Sequence, residues 1–167
     1  MIKEHIKSYL PQVLEEANNR FKIFKSVVDY ESLSTKLKSE LISNMLEASF
    51  SKVVPDVISP FTDGEPDLYV KGKPLEIKTA KTTHVWRGGE FSKRESDYLL
   101  VSYDDSGDDL KWFFLHTYLM ESDWKSSGSD SYYATTIDLN DVLDGKEHTI
   151  LMGEIVKKRI KKHLICS

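Results

Sequence analysis

Between Glu65 and Lys81 the chain reads Glu-Pro-Asp-Leu-Tyr-Val-Lys-Gly-Lys-Pro-Leu-Glu-Ile-Lys-Thr-Ala-Lys. Leu68 and Val70 alternate with Asp67 and Tyr69, and Leu75 and Ile77 alternate with Glu76 and Lys78. A period of two marks a strand with one apolar face, and Lys71-Gly72 between the runs marks a tight hairpin. Two-residue hairpin loops need positive φ, which glycine tolerates. Opposed residues in a hairpin share a face, and a slip of one residue moves every side chain to the other face. If Val70 pairs with Lys73, Asp67 faces Glu76. If Val70 pairs with Leu75 around a wider loop, Asp67 faces Lys78 and Tyr69 faces Glu76. In both registers Asp67, Glu76 and Lys78 lie on one face.

Two adjacent carboxylates repel unless a cation sits between them. A hard divalent ion such as Mg²⁺ suits them, since it takes oxygen ligands and keeps positions open for water and phosphate. A lysine beside the ion can orient or deprotonate water, which completes a set of groups suited to metal-assisted phosphodiester hydrolysis.

The segment Pro66-Asp67, eight residues, then Glu76-Ile77-Lys78 resembles the signature of the PD-(D/E)XK nuclease superfamily, which includes many restriction endonucleases. The resemblance covers about Asp63 to Lys81, and more loosely continues through Trp86-Arg87-Gly88-Gly89-Glu90-Phe91 to the strand Asp97–Tyr103. It implies that Asp67 and Glu76 bind Mg²⁺, with Mn²⁺ as a substitute, helped by the main-chain carbonyl of Ile77. It implies that Lys78 activates or positions the water. It also implies that a helix before the hairpin lends an extra acid, for which Glu47 and Glu40 are the candidates. An acid two residues before a lysine also occurs at Asp109-Leu110-Lys111, Asp123-Trp124-Lys125 and Asp144-Gly145-Lys146. Only the copy at Glu76 has the upstream Pro-Asp, the turn and the apolar alternation together.

The 167 residues suit one domain with a single core. With 40% hydrophobic and 30% charged residues the composition is that of an ordinary globular protein. No apolar run is as long as a membrane span, and the N-terminus lacks a signal-peptide pattern. The single Cys166 permits no internal disulfide. These features lead to the expectation of a cytoplasmic protein with no membrane partner. The net charge of −4 argues against an indiscriminate nucleic-acid binder but not against a nuclease, because charge distribution matters more than its sum.

In chain order, residues 2–10 read as helical, and Pro11 starts or kinks a second segment running to about Tyr30. A further helix is expected from about Ser34 to Val53, with Leu37, Leu41, Ile42, Met45, Leu46 and Phe50 on its apolar face. Glu40 and Glu47 lie opposite that arc, which reads as a solvated face. Asp56–Ser59 reads as a short strand or an extended connection. Asp63 and Glu65 are spare acids that read as turn residues. The stretch from Thr79 to Arg94 has no sustained period. Its Lys81, Arg87, Lys93 and Arg94, interleaved with Trp86 and Phe91, fit either a DNA-binding edge or a plain loop, and His84 reads as a loop histidine.

Asp97–Tyr103 and Lys111–Leu119 read as a hairpin of buried strands, with Trp112, Phe113, Phe114 and Tyr118 in the core. Ser126–Ser131 reads as a flexible loop, Tyr132–Leu139 as a strand, and Asn140–Leu143 as a turn or short helix. Glu154–Leu164 reads as a basic helix that either follows a DNA backbone or is simply solvated.

The expected architecture is one α/β domain over 1–167 with a mixed central β-sheet flanked by helices, which the resemblance specifies as a restriction-endonuclease-like fold. Its parts are N-terminal helices over about 2–53, a catalytic hairpin at 65–79, and further strands with a C-terminal helix over 97–167. The expected function is a Mg²⁺-dependent endonuclease on double-stranded DNA, working as a homodimer because symmetric sites match symmetric proteins. The alternatives are a Holliday-junction resolvase or repair nuclease of the same fold, or a catalytically silent DNA-binding or interaction module.

Overall fold

The first helix, α1 (Ile2–Val27), buries Ile2, Ile6, Leu10, Val13, Ala17 and Phe21, the three-to-four spacing of a single helical face. Pro11 neither starts nor breaks it. The proline stands on the exposed side, so burial of an unbroken apolar stripe outweighs one missing backbone bond. A 3₁₀ turn at Tyr30–Ser32 leads to α2 (Thr35–Val53). The Ser34 hydroxyl caps α2 by accepting from the Leu37 N–H at 3.2 Å. Leu37 is exposed, so the buried arc of α2 begins at Ile42.

A computed structural model describes residues 2–60, 62–81, 84–88, 95–126 and 135–153. Its strands are β1 (Val57–Ile58), β2 (Leu68–Val70), β3 (Lys73–Lys81), β4 (Val85–Gly88), β5 (Ser96–Asp104), β6 (Lys111–Leu119), β7 (Lys125–Ser126), β8 (Thr135–Asp138) and β9 (His148–Gly153), with a short helix α3 (Leu139–Gly145) before β9. Six of them form a sheet in the order β1-β2-β3-β5-β6-β9. β3 and β5 are parallel and the other neighbours antiparallel, so the sheet is mixed. The remaining three form an antiparallel sheet in the order β4-β8-β7.

The main sheet is covered on both faces. Leu68, Leu75, Ile77, Leu99, Val101 and Phe114 pack with the buried faces of α1 and α2. Tyr98, Leu100, Phe113 and Leu115 pack with Trp86 of β4, Ile137 of β8 and α3. Burial on both faces explains why β5 reads as a continuous apolar run rather than an alternating one.

The hairpin of β5 and β6 forms as expected, and Trp112, Phe113 and Phe114 are buried. Tyr118 is not in the core: it is 45% exposed and its hydroxyl donates to Glu95. The first turn of α1 reaches this end of the sheet, where the Lys3 ammonium donates to Thr149, and Tyr118 lies at the rim. Asp56–Ser59 contains the edge strand β1. β4 and β9 are strands where no strand was expected. Asn140–Leu143 falls within α3. Ser126 ends β7 rather than opening a loop, and residues 127–134 and the expected helix Glu154–Leu164 lie outside the described residues. No helix among the described residues is long and apolar enough to cross a membrane.

Candidate active site

The hairpin closes with Val70 opposite Lys73 and Leu68 opposite Leu75, the tighter of the two registers considered. Lys71 (φ 51°) and Gly72 (φ 78°) both occupy the left-handed region, as a type I′ loop requires. Continuing this register by one residue sets Asp67 opposite Glu76. The ladder with β2 stops at Leu68, while β3 runs on to Lys81. The next inward-pointing N–H of β3, on Ile77, is taken by a side chain: Asp67 Oδ2 accepts it at 2.8 Å. The aspartate thus replaces a missing rung and is fixed beside the next turn of the pleat. N–H and C=O of one strand residue point to the same side, so the Ile77 carbonyl faces the same open edge. Glu76 is buried and Lys78 half-buried, on the face away from Leu75 and Ile77.

α2 packs against β3 and brings Glu47 to this edge. Glu47 is buried, only 9% exposed, which corrects its reading as part of a solvated face. Burial pushes its carboxyl up to about 8; the charge of Asp67 and a hydrogen bond to it add to the rise, as does Glu76, and Lys78 opposes it. The seven-residue spacing from Glu40 gives both acids nearly the same direction around the helix but sets them about 10 Å apart along it. Glu47 therefore reaches the hairpin, while Glu40 lies beyond it, exposed and 4.0 Å from Lys36. Position along the helix axis, not the apolar arc, decides which acid is buried.

Three acids and a lysine thus interact around the open edge of β3. Their hard oxygens suit Mg²⁺ or Mn²⁺ better than a softer metal. The fit lies in this donor chemistry and in mutual repulsion that a cation would relieve. Among the described residues no three His, Cys, Asp or Glu side chains are already gathered in a metal-holding group. Glu47 and Asp67 share a hydrogen bond, which favours the protonated form of Glu47.

The chain matches no family model and no curated protein. It is similar to a solved structure described as a restriction endonuclease in complex with substrate DNA. The identity is 14% over 92% of each chain, with a TM-score of 0.44.

The other sequence candidates divide. Trp86 is fully buried, and its indole N–H donates to the Val101 carbonyl at 2.9 Å, so it belongs to the core and not to a DNA-stacking edge. Lys81 is held by Asp105 at 2.9 Å, whose carboxylate also accepts from the Tyr30 hydroxyl at 2.6 Å. Arg87 is exposed on β4. Lys93 and Arg94 lie outside the described residues.

His84 is buried, with positive φ, and its Nδ1 shares a hydrogen bond with the Ser102 hydroxyl at 2.8 Å. It is a core histidine rather than a loop one. Asp63 and Glu65 are exposed beside the hairpin, and Glu65 accepts from the Tyr69 hydroxyl. Two of the three rival acid-x-lysine copies are committed to ion pairs: Asp109 with Lys22 at 3.1 Å, and Asp123 with Lys146 at 2.9 Å.

Proposed function

We propose that the protein is a Mg²⁺-dependent phosphodiester hydrolase acting on double-stranded DNA, an endonuclease of restriction-endonuclease type. The observation that carries this reading is the electrostatic interaction of Glu47 with Asp67, Glu76 and Lys78, and its hydrogen bond to Asp67, at the edge of β3 left open by the short strand β2. Asp67, Glu76 and the Ile77 carbonyl are the groups that would hold the ion, with Glu47 as a further acid. A bound divalent ion supplies Lewis-acid activation of water and neutralisation of charge developing on phosphate.

The chain's own part is positioning and proton handling. Asp67 is braced by the Ile77 N–H, which restricts its rotation. Lys78, on the same face as Glu76, presents a cationic donor where a phosphate oxygen or an attacking water would lie. A lysine in such a place loses its proton more readily when further positive charge arrives, which suits it to accept one from water. Glu47 holds a proton until the charge around it changes.

The test is incubation of the full chain with linear, supercoiled and branched DNA, in Mg²⁺ or in EDTA. The reading predicts cleavage in Mg²⁺ alone. It also predicts that Asp67→Ala, Glu76→Ala and Lys78→Ala each lose it, by at least about a hundredfold, while retaining the wild-type circular dichroism spectrum. Full nicking by any of the three variants would remove the assignment. Discrete fragments from linear DNA mark a sequence-specific enzyme, and selective loss of branched DNA marks a resolvase.

A further inference from the structure

We infer that Trp124 and Tyr98 are positioning residues for Glu76: the Trp124 indole N–H reaches the Glu76 carboxylate through one bound water, and the Tyr98 ring walls that water in. The inference rests on the hydrolytic reading only in giving Glu76 an ion to hold.

β3 and β5 run parallel with Glu76 opposite Tyr98, so the two side chains stand beside each other on one face of the sheet. That face is the one packed with Trp86, Ile137 and α3. Tyr98 is fully buried and Glu76 is 3% exposed. Trp124 meets the Tyr98 ring edge-on, with centroids 5.8 Å apart, and is itself 7% exposed. Tyr98 is thus a neighbour of both Glu76 and Trp124. The chain fixes Trp124 on both sides. It follows a 3₁₀ turn at Glu121–Asp123, where its backbone N–H donates to the Glu121 carbonyl at 3.2 Å, and it directly precedes β7.

The three tryptophans differ in one respect. The indole N–H of Trp86 donates to the Val101 carbonyl at 2.9 Å, and that of Trp112 to Asn18 Oδ1 at 3.4 Å. The indole N–H of Trp124 is buried with no acceptor among the described residues. A buried donor is costly unless something accepts from it, and an ordered water often does. The acids around Trp124 are committed elsewhere: Asp123 to Lys146 and the Met120 N–H, Asp141 to Lys125 and the Asp138 N–H. An indole only donates and an ionised carboxylate only accepts. One water satisfies both, since it accepts from the first and donates to the second. Such a water holds the Glu76 carboxylate in one orientation, as the outer partners of metal ligands do.

Nuclear magnetic resonance of the ¹⁵N-labelled full chain in EDTA tests it. The Trp124 indole signal is assigned from its contacts with the Tyr98 ring. A cross-peak to a bound water is expected at Trp124 and at neither Trp86 nor Trp112. E76Q should shift the Trp124 signal and leave that of Trp112 in place. Mn²⁺ titration should then show W124F, with a wild-type circular dichroism spectrum, binding about tenfold more weakly than the wild type. The inference is overturned by the absence of a water cross-peak at Trp124, by a Trp124 signal that E76Q leaves unmoved, or by a folded W124F that binds Mn²⁺ as tightly as the wild type. The first two measurements need no substitution at Trp124, so they decide the matter should W124F fail to fold. A wild type that binds no Mn²⁺ defeats the hydrolytic reading, while the water contact and the E76Q response still decide whether Trp124 acts on Glu76.

Discussion

At Glu47 a carboxyl is held in a place that would suit a neutral or cation-bound group. Its proton affinity is raised in the fold, from an ordinary value of 4.5 to about 8. The stability this proton contributes is therefore fully present below about 4.5 and is lost as pH rises toward 8. Glu47→Gln removes that titration. In EDTA it should raise stability at pH 8 by about 1–3 kcal/mol and flatten the decline between pH 5 and 8, read from urea midpoints across that range. An unchanged slope would show that Glu47 is not the group under stress. Asp105 has the opposite sign. Burial pushes its carboxyl up, but the Tyr30 hydroxyl and the Lys81 ammonium outweigh this and hold it below the usual range. Its contribution is present above about 3.8 and disappears as pH falls through its lower folded value. Asp105→Asn should cost roughly 2–4 kcal/mol at pH 7 and reduce the loss of stability seen below pH 4. A midpoint equal to wild type would mean that this buried junction contributes nothing.

Among the elements, the hairpin was the most legible in the sequence. Its turn residues and alternation leave two registers, both of which put Asp67, Glu76 and Lys78 on one face, and the structure takes the tighter one. β4 was illegible because Trp86 looks like a contact residue in a basic stretch; its burial follows only from pairing with β8, far along the chain. Trp86→Ala should therefore destabilise by about 3–5 kcal/mol, whereas Arg87→Ala, being exposed, should leave the thermal midpoint near wild type. Equal midpoints for the two would contradict the packing. β9 was missed for a similar reason. Its last residue, Gly153, has φ +116°, and an added Cβ would stand 2.2 Å from the Trp112 carbonyl oxygen. Only glycine lets that backbone approach β6, a constraint invisible without the partner strand. Gly153→Ala should cost roughly 2–3 kcal/mol, measured by chemical denaturation, and wild-type stability would show that the edge of β9 is free to shift.

For the whole molecule, the parts that read well were those with a local pattern: α2 and the helical character of α1 from their spacing, β5 and β6 from their apolar runs. What the sequence could not supply was proximity. Glu47 and Glu40 look alike in any helical projection, and only the placement of α2 over β3 separates them. A net charge of −4 implies that DNA affinity, if it depends on a few local cations, should fall less steeply with salt than that of a broadly basic protein. The expected two-fold assembly predicts light scattering at twice 19.2 kDa, plus the mass of the duplex when DNA is bound, and a single protein chain with and without DNA would exclude it. The claim on which the functional account depends is that the acids at the open edge of β3 bind a divalent cation. Titration of Mn²⁺ into the full chain, followed by the loss of the free-ion electron paramagnetic resonance signal, measures this directly. The account predicts saturable binding of one or two ions, abolished in Asp67→Asn and in Glu76→Gln. Absence of saturable binding, or binding that both substitutions leave unchanged, would contradict it.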